Sequence, residues 1–109
     1  MKKITEETQI KHQVKDYLKL WGFFVFPILQ GLGAYKGIPD MCAVGYGLTL
    51  FIEVKAGKGK QSKYQKQFEN NVFGHGGHYI LVKKCEDIKN YLYDYDLNKN
   101  KLTGNPIIR

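Results

Sequence analysis

The sequence predicts an α/β domain in which helices flank a central mixed sheet, with the elements in the order αβββαβα. Apolar residues recur at helical spacing near the N-terminus and again after residue 62. Short runs of β-branched and aromatic residues, which favour strands, lie between these stretches. The chain has 109 residues, 43% of them hydrophobic, which is enough for one domain with its own core.

The first half of the chain predicts one helix and three strands. The helix spans Glu6–Trp21, because its apolar residues share one face and Gly22 follows as a stop. Residues 23–28 form the first predicted strand and lead into a glycine-rich loop. Residues 40–44 and Leu48–Val54 form two further strands, and the short glycine-containing link between them predicts a hairpin.

The second half predicts a helix, a strand and a final helix. Ser62 followed by Gln65 has the form of a capping box, and the helix that it opens ends at Gly74. His78–Val82 has the composition of a buried strand, and residues 86–93 form a short helix. Residues 93–109 are polar and rich in turn formers, which predicts an irregular or partly ordered tail within the same single domain.

The charge balance favours a polyanionic partner, and nucleic acid is the leading candidate. Seventeen lysines and arginines against ten acidic residues give a net charge of +7. Cys42 and Cys85 do not form a disulfide framework, so we interpret both as thiols. The sequence shows neither a signal-peptide pattern nor an apolar run of membrane-spanning length. We therefore expect a cytoplasmic protein with no membrane partner.

Three charged residues are predicted to converge at one end of the hairpin. Asp40 follows a proline at the start of one strand, a position where proline is tolerated. Glu53 and Lys55 lie two residues apart on the next strand, so their side chains share a face. Glu53 and Lys55 alone would indicate an ordinary surface ion pair, but antiparallel pairing brings Asp40 beside them. Two carboxylates with a lysine suit hydrolysis of a phosphodiester bond with one or two Mg²⁺ ions.

The order of these residues resembles the PD-(D/E)XK nuclease superfamily and, within it, the VRR-NUC nucleases. The superfamily motif is a Pro-Asp pair followed by an ExK strand. The VRR-NUC pattern adds an acidic helix with a Tyr-Leu pair, a GxPD segment and a later helix that carries a glutamine. This chain supplies, in that order, Glu7 with Tyr17-Leu18, Gly37-Ile38-Pro39-Asp40, Glu53-Val54-Lys55 and Gln65.

The resemblance implies a PD-(D/E)XK-type domain and a set of site residues. The implied metal ligands are Glu7, Asp40, Glu53 and the backbone carbonyl of Val54. The implied catalytic residues are Asp40, Glu53, Lys55 and Gln65. Lys55 would handle the nucleophile, and Gln65 would support Lys55 or a water, although Gln65 is equally well explained as a member of the capping box. Helical phase favours Glu7 over the adjacent Glu6, because Glu7 shares a face with apolar residues of the first helix.

The same resemblance implies a cofactor and partners. It implies Mg²⁺, for which Mn²⁺ can substitute, and products with 5′-phosphate and 3′-hydroxyl ends. Stand-alone members occur in phages and bacteria and tend to be homodimers, which would place a phage-encoded protein in the bacterial host cell. Resemblance to these members favours DNA as the substrate, including branched DNA such as a Holliday junction.

Several lysines near the proposed site are candidates for phosphate contact. Lysines follow the ExK strand without an intervening acid, on a glycine-rich loop beside the proposed metal ligands. A solvated lysine run is the alternative, and the adjoining site favours phosphate contact. The candidate DNA-binding residues are Lys58, Lys60 and Lys63, with Lys36 on the earlier loop as a weaker one.

Two other patterns have ordinary explanations. His75 and His78 with Cys42 or Cys85 match no standard set of zinc ligands, so zinc is disfavoured. Aromatic residues could stack on bases, but their phasing favours the core. We expect the following aromatic residues in the core: Tyr17, Trp21, Phe23, Phe24 and Phe68.

The sequence therefore predicts a Mg²⁺-dependent endonuclease that cuts DNA and is selective for its structure. One alternative is a non-catalytic DNA-binding or scaffold subunit with a nuclease-like fold, although intact Asp40, Glu53 and Lys55 speak against it. A second alternative is a nuclease directed at RNA, because phosphate contacts do not distinguish the two sugars.

Overall fold

The computed structural model of the protein describes residues 5–97, which form three helices and four strands in the predicted order. The helices are α1 (Glu6–Trp21), α2 (Lys63–Gly74) and α3 (Cys85–Leu97). The strands are β1 (Phe24–Pro27), β2 (Met41–Gly45), β3 (Leu48–Val54) and β4 (His78–Val82). Within the described part of the chain, no helix has both the length and the apolar character that crossing a membrane requires.

The four strands form one mixed sheet, as predicted, and their order in it is β1-β2-β3-β4. β2 pairs antiparallel with both β1 and β3, and Met41 at the start of β2 lies opposite Ile52 near the end of β3. β4 lies parallel to β3, because the chain crosses over through α2 between them. The start of β2 and the ends of β3 and β4 therefore meet at the same edge of the sheet.

One face of the sheet packs against α1 and α3 to form the core. Ile52 and Val54 point to this face and are fully buried. The helices add four fully buried side chains, Val14 and Leu18 from α1 and Ile88 and Leu92 from α3. Because Glu53 lies between Ile52 and Val54, its side chain points to the opposite face, on the side of α2.

Both ends of α1 are fixed by capping residues, which explains why its predicted bounds are confirmed. The side chain of Thr5 accepts a hydrogen bond from the Thr8 N–H at the N-terminus. Gly22 adopts a left-handed conformation with φ 99° at the C-terminus, where its N–H donates to the carbonyls of Leu18 and Lys19. α1 therefore begins and ends at defined residues, and Glu7 lies in its first turn.

The end of the final helix was predicted wrongly. α3 continues to Leu97, whereas the predicted helix ended at residue 93 and an irregular tail followed. No glycine or proline interrupts residues 94–97, so nothing in the local sequence stops the helix there. The remainder of the predicted tail, residues 98–109, lies outside the described residues.

The predicted burial of the aromatic residues is correct only in part. Phe23 is buried, but the side chain of Phe24 is 62% exposed, so its assignment to the core is wrong. The physical reason is the alternation of β1, which turns Phe24 and Phe26 away from the core and places their ring centroids 5.2 Å apart. Phe68 is half-buried against the ring of Phe51 on the side of the sheet that α2 covers. Tyr17 and Trp21 are partly buried and pack against the core.

Candidate active site

Asp40 is held firmly at the edge of the sheet where β2 begins. Its carboxylate Oδ2 accepts a hydrogen bond from the backbone N–H of Val54 at 2.7 Å. Its backbone carbonyl accepts from the N–H of Ile28 at 2.9 Å. The antiparallel pairing of β2 with β3 thus fixes Asp40 next to the ExK segment, as the hairpin prediction required.

Glu53 is the buried carboxylate of the site, with only 3% of the residue exposed. Its Oε2 lies 3.5 Å from the Nζ of Lys55 and accepts a hydrogen bond from the Nε2 of Gln65 at 3.0 Å. Its Oε1 is buried without a hydrogen-bond partner among the described residues. A buried carboxylate oxygen without a donor is energetically unfavourable unless a cation or a proton satisfies it.

The environment of Glu53 favours its protonated form. Burial first, and then the negative charge of Asp40, raise the pKa of Glu53 from an ordinary value of 4.5 to about 7, although Lys55 opposes both effects. Two carboxylates that repel each other in a buried position form a strong attractor for a positive charge. The pair therefore has the electrostatics of a cation site.

Gln65 completes the capping box and also contacts the site, where its partner is Glu53 and not the Lys55 or water that the resemblance implied. Its side-chain Oε1 accepts a hydrogen bond from the backbone N–H of Ser62 at 2.8 Å, which completes the capping box at the start of α2. Its Nε2 simultaneously donates to Glu53. One amide thus uses its acceptor for the helix cap and a donor for the site.

Lys11 is a site residue that the sequence analysis missed. Its Nζ lies 3.3 Å from the Oδ1 of Asp40 and 3.7 Å from the Oε2 of Glu7. The ammonium group therefore joins the acid of α1 to the acid at the start of β2. The local signal was present, because Lys11 follows Glu7 by four residues on the same helix face, but the contact with Asp40 depends on how α1 packs on the sheet.

Glu7 rather than Glu6 faces the site. Glu6 is exposed at the start of α1, whereas Glu7 is half-exposed and paired with Lys11. Its assignment as a metal ligand stays a prediction, as does that of the Val54 carbonyl. Among residues 5–97, no three or more His, Cys, Asp or Glu side chains are clustered closely enough to hold a metal ion.

Asp40 and Glu53 nevertheless fit a hard divalent cation. Both present carboxylate oxygens, the ligand type that Mg²⁺ prefers. The Oε1 of Glu53, which has no hydrogen-bond partner within residues 5–97, supplies a coordinating atom, and the nearby Asp40 supplies a second acid. The residues present can therefore hold such an ion between β2 and β3.

The four candidate DNA-binding lysines lie around this edge of the sheet and are exposed. Lys58 and Lys60 lie on the loop after β3, and Lys63 is the first residue of α2. Lys36 lies over the ring of Tyr64, with its Nζ 4.9 Å from the ring centroid. Their contact with DNA stays a prediction.

Two connections that the sequence analysis missed fix the loops next to the site. The Nζ of Lys83 donates to the carbonyl of Gly59 at 3.1 Å and so ties the lysine-bearing loop to the end of β4. Gly37 has φ 83°, and any Cβ there would collide with the backbone carbonyl of Tyr64, so only glycine lets this loop approach α2. Both depend on contacts between segments distant in sequence.

The histidines considered as zinc ligands are engaged elsewhere. The Nδ1 of His75 lies 2.7 Å from the carbonyl oxygen of Asn71, and the Nδ1 of His78 lies 2.8 Å from the hydroxyl of Tyr91. Cys42 is buried in β2, and burial raises the pKa of its thiol. These residues do not form a common site.

Comparison with known proteins identifies the fold. Neither the sequence profiles of protein families nor the sequences of curated proteins give a match. Among solved structures, one described as a VRR_NUC domain matches with a TM-score of 0.74 and 21% identity, over 84% of this chain and 99% of that one. A second, described as a VRR_NUC domain protein, matches with a TM-score of 0.67 and 18% identity, over 87% and 91% of the two chains.

A more distant likeness connects the fold to a resolvase. The structure of Hjc from Archaeoglobus fulgidus, described as a Holliday junction resolvase, matches with a TM-score of 0.55 and 21% identity, over 71% of this chain and 67% of that one. The chain therefore has the α/β fold of the VRR-NUC domain, and the resemblance inferred from its motifs is confirmed at the level of the fold. At these identities the likeness does not establish activity.

Proposed function

We propose that the protein is a metal-dependent endonuclease that hydrolyses phosphodiester bonds in DNA. The observation that carries this proposal is the convergence of Asp40, Glu53 and Lys55, with a buried Glu53 oxygen that has no partner in the described residues. If these residues only stabilised the fold, we would expect this buried oxygen to be hydrogen-bonded, or an apolar side chain to stand in its place. The VRR-NUC fold supports the same conclusion.

Each residue has a distinct part in the proposed reaction. Asp40 and Glu53 would hold Mg²⁺ or Mn²⁺, whose positive charge offsets the charge that develops on the phosphate in the transition state. Lys55 orients the attacking water or offsets phosphate charge. The Val54 N–H and the Gln65 amide fix the two carboxylates so that the ligands are preorganised. Products with 5′-phosphate and 3′-hydroxyl ends are expected.

DNA of branched structure is the proposed substrate. The net charge of +7 and the exposed lysines around the site support binding of a polyanion. One neighbour in fold is described as a Holliday junction resolvase, which supports a preference for branched DNA. We further propose that the protein acts as a homodimer, because a domain of this size has little surface for reading a long sequence. We also propose that it acts in the cytoplasm.

A cleavage assay tests the proposal. Labelled four-way junction, flap, single-stranded and linear duplex DNA, with RNA counterparts, are incubated with Mg²⁺, Mn²⁺ or EDTA. We expect wild type to cut branched DNA with either metal and not with EDTA, and Lys55→Ala and Asp40→Ala to lose cutting. Lys89→Ala, which removes an exposed lysine on α3, is the matched control and should cut normally.

Each other outcome assigns a different function. Salt-sensitive DNA binding without cleavage of any substrate would identify a non-catalytic binding or scaffold subunit. Cleavage of RNA but not of DNA would identify an RNA-directed nuclease.

A further inference from the structure

A cleft lies between the N-terminal half of α1 and the β1 side of the sheet, and it opens beside Asp40. Its volume is about 280 Å³, which is close to the size of a single nucleotide. Its apolar floor is formed by Val25, Pro27, Ile28 and Met41. None of the four lysines considered above as DNA contacts lines it, so this surface is separate from theirs.

The rim of the cleft is cationic at Lys15 and partly fixed, whereas the charge of Lys11 is already paired with Asp40 and Glu7. Lys11 and Lys15 both line it and lie one helical turn apart, about 6 Å along the axis of α1. The Nε2 of Gln30 donates to the carbonyls of Ile38 and Pro39, which holds this side chain at the opposite wall. His12 adds an exposed imidazole at the same opening. An anionic group entering the cleft would meet Lys15, which has no ion pair among the described residues.

The cleft is continuous with the proposed cleavage site. Asp40 lines it, and the Nζ of Lys11 lies 3.3 Å from the Oδ1 of Asp40. A nucleotide bound in the cleft would therefore lie within one or two phosphates, along the DNA backbone, of the bond that is cut. The apolar floor matches the flat apolar face of a base, and the lysine at the rim matches a phosphate. The volume of the cleft matches one nucleotide.

We propose that this cleft holds one unpaired nucleotide of the substrate strand next to the cleaved bond, with its base over Ile28 and Met41 and its phosphate on Lys15. This inference rests on the proposed nuclease function and specifies what makes its substrate selective. A base paired inside a duplex cannot reach a concave cleft under a helix, so the strand must be open at this position. Branch points, flaps and bulges supply such a nucleotide, and a continuous duplex does not.

Binding of three DNA hairpins tests the proposal independently of cleavage. The first hairpin is fully paired, the second carries one unpaired adenosine, and the third carries an abasic residue at the same place. Dissociation constants are measured by fluorescence anisotropy in EDTA at one fixed salt concentration. We expect the unpaired adenosine to bind about tenfold more tightly than both other hairpins, because burial of the base against the aliphatic floor removes apolar surface from water and contributes on this scale.

Variants locate the preference in the cleft. We expect Ile28→Ala to reduce the tenfold preference for adenosine over the abasic residue to about twofold or less, because it removes part of the floor under the base. Lys15→Met should instead weaken the adenosine and abasic hairpins by a similar factor of about three, because both keep the phosphate that Lys15 would contact. Lys89→Met makes the same charge change on α3, where the Nζ lies 5.3 Å from the ring centroid of Tyr17, and should keep the full preference. Thermal melting of each variant verifies that it is folded.

The outcomes separate this inference from the proposed function. Equal binding of the abasic and adenosine hairpins would overturn it, since phosphate contacts alone would then explain binding. A preference that survives in Ile28→Ala, or binding of the adenosine hairpin that Lys15→Met leaves unchanged, would also overturn it. Cleavage with Mg²⁺ but without preference for the unpaired nucleotide would refute the cleft and leave the nuclease. If wild type cuts no DNA in Mg²⁺ but still prefers the unpaired nucleotide, the proposed nuclease function is refuted and the proposed role of the cleft stands.

Discussion

Gln65 donates a hydrogen bond from its Nε2 to the Oε2 of Glu53, 3.0 Å away, while its Oε1 closes the capping box of α2. The start of α2 and the buried acid of the site are therefore joined through a single amide. This link couples the orientation of Glu53 to the position of α2, so substitutions at the helix terminus can change the site as well as stability.

Substitutions at the capping box should separate these two roles. Ser62→Ala removes the Oγ that accepts from the Gln65 N–H, and we expect it to lower the free energy of unfolding by about 1 kcal/mol with little change in cleavage. Gln65→Glu keeps an oxygen for the Ser62 N–H but removes the donor to Glu53, so we expect cleavage to fall at least tenfold. Urea unfolding and cleavage rates measure both. Normal cleavage by Gln65→Glu would contradict the positioning role.

Lys11 should compete with a metal ion for the negative charge of Asp40. Its ammonium group lies close to the carboxylates of Asp40 and Glu7 and offsets part of their negative charge. We expect Lys11→Met to bind Mn²⁺ about tenfold more tightly than wild type in the absence of DNA, measured by isothermal titration calorimetry. Lys15→Met, one turn further along α1, should change this affinity much less. Equal or weaker metal binding by Lys11→Met would show that the ammonium does not oppose the metal.

Ionisation of Glu53 should lower the free energy of unfolding as the pH rises. Because its pKa is raised to about 7 in the folded protein, the folded state binds this proton more tightly than the unfolded state. The stabilisation is complete below the ordinary pKa of 4.5 and is lost as the pH rises through about 7. We expect Glu53→Gln to gain about 1–3 kcal/mol in free energy of unfolding relative to wild type between pH ~4 and ~8 in EDTA.

The control for this pH effect is an acid outside the site. Glu86→Gln removes an exposed carboxylate in the first turn of α3. Its unfolding free energy should follow the pH dependence of wild type. If Glu53→Gln also followed that dependence, the buried acid would not be the group that titrates.

Lys58 and Lys60 should contribute to DNA affinity through counterion release. If each contacts one phosphate, the double variant Lys58→Met/Lys60→Met loses about 1.8 from the slope of log affinity against log salt concentration. Lys89→Met should leave the slope unchanged. Anisotropy titrations at several salt concentrations measure it. An unchanged slope in the double variant would mean that these lysines form only a solvated surface.

The sequence predicted those parts of the structure that local patterns determine. Two-residue alternation and a hairpin were enough to predict that Asp40 lies beside Glu53, and apolar spacing with Gly22 was enough to predict the bounds of α1. The contacts of Lys11 and Lys83 were missed because they join segments that become neighbours only through tertiary packing. Exposure of Phe24 was missed because consecutive aromatic residues leave the phase of a short strand ambiguous.

Single-turnover cleavage of a branched DNA by Glu53→Gln shows whether the Asp40 and Glu53 pair holds the metal ion of a nuclease. Glutamine keeps the shape of the side chain and an oxygen for Gln65 but removes the negative charge. We predict that cleavage in Mg²⁺ falls at least a hundredfold while binding of the same DNA in EDTA stays within about threefold of wild type. Cleavage by Glu53→Gln at the wild-type rate, or by wild type in EDTA, would contradict this role of the pair.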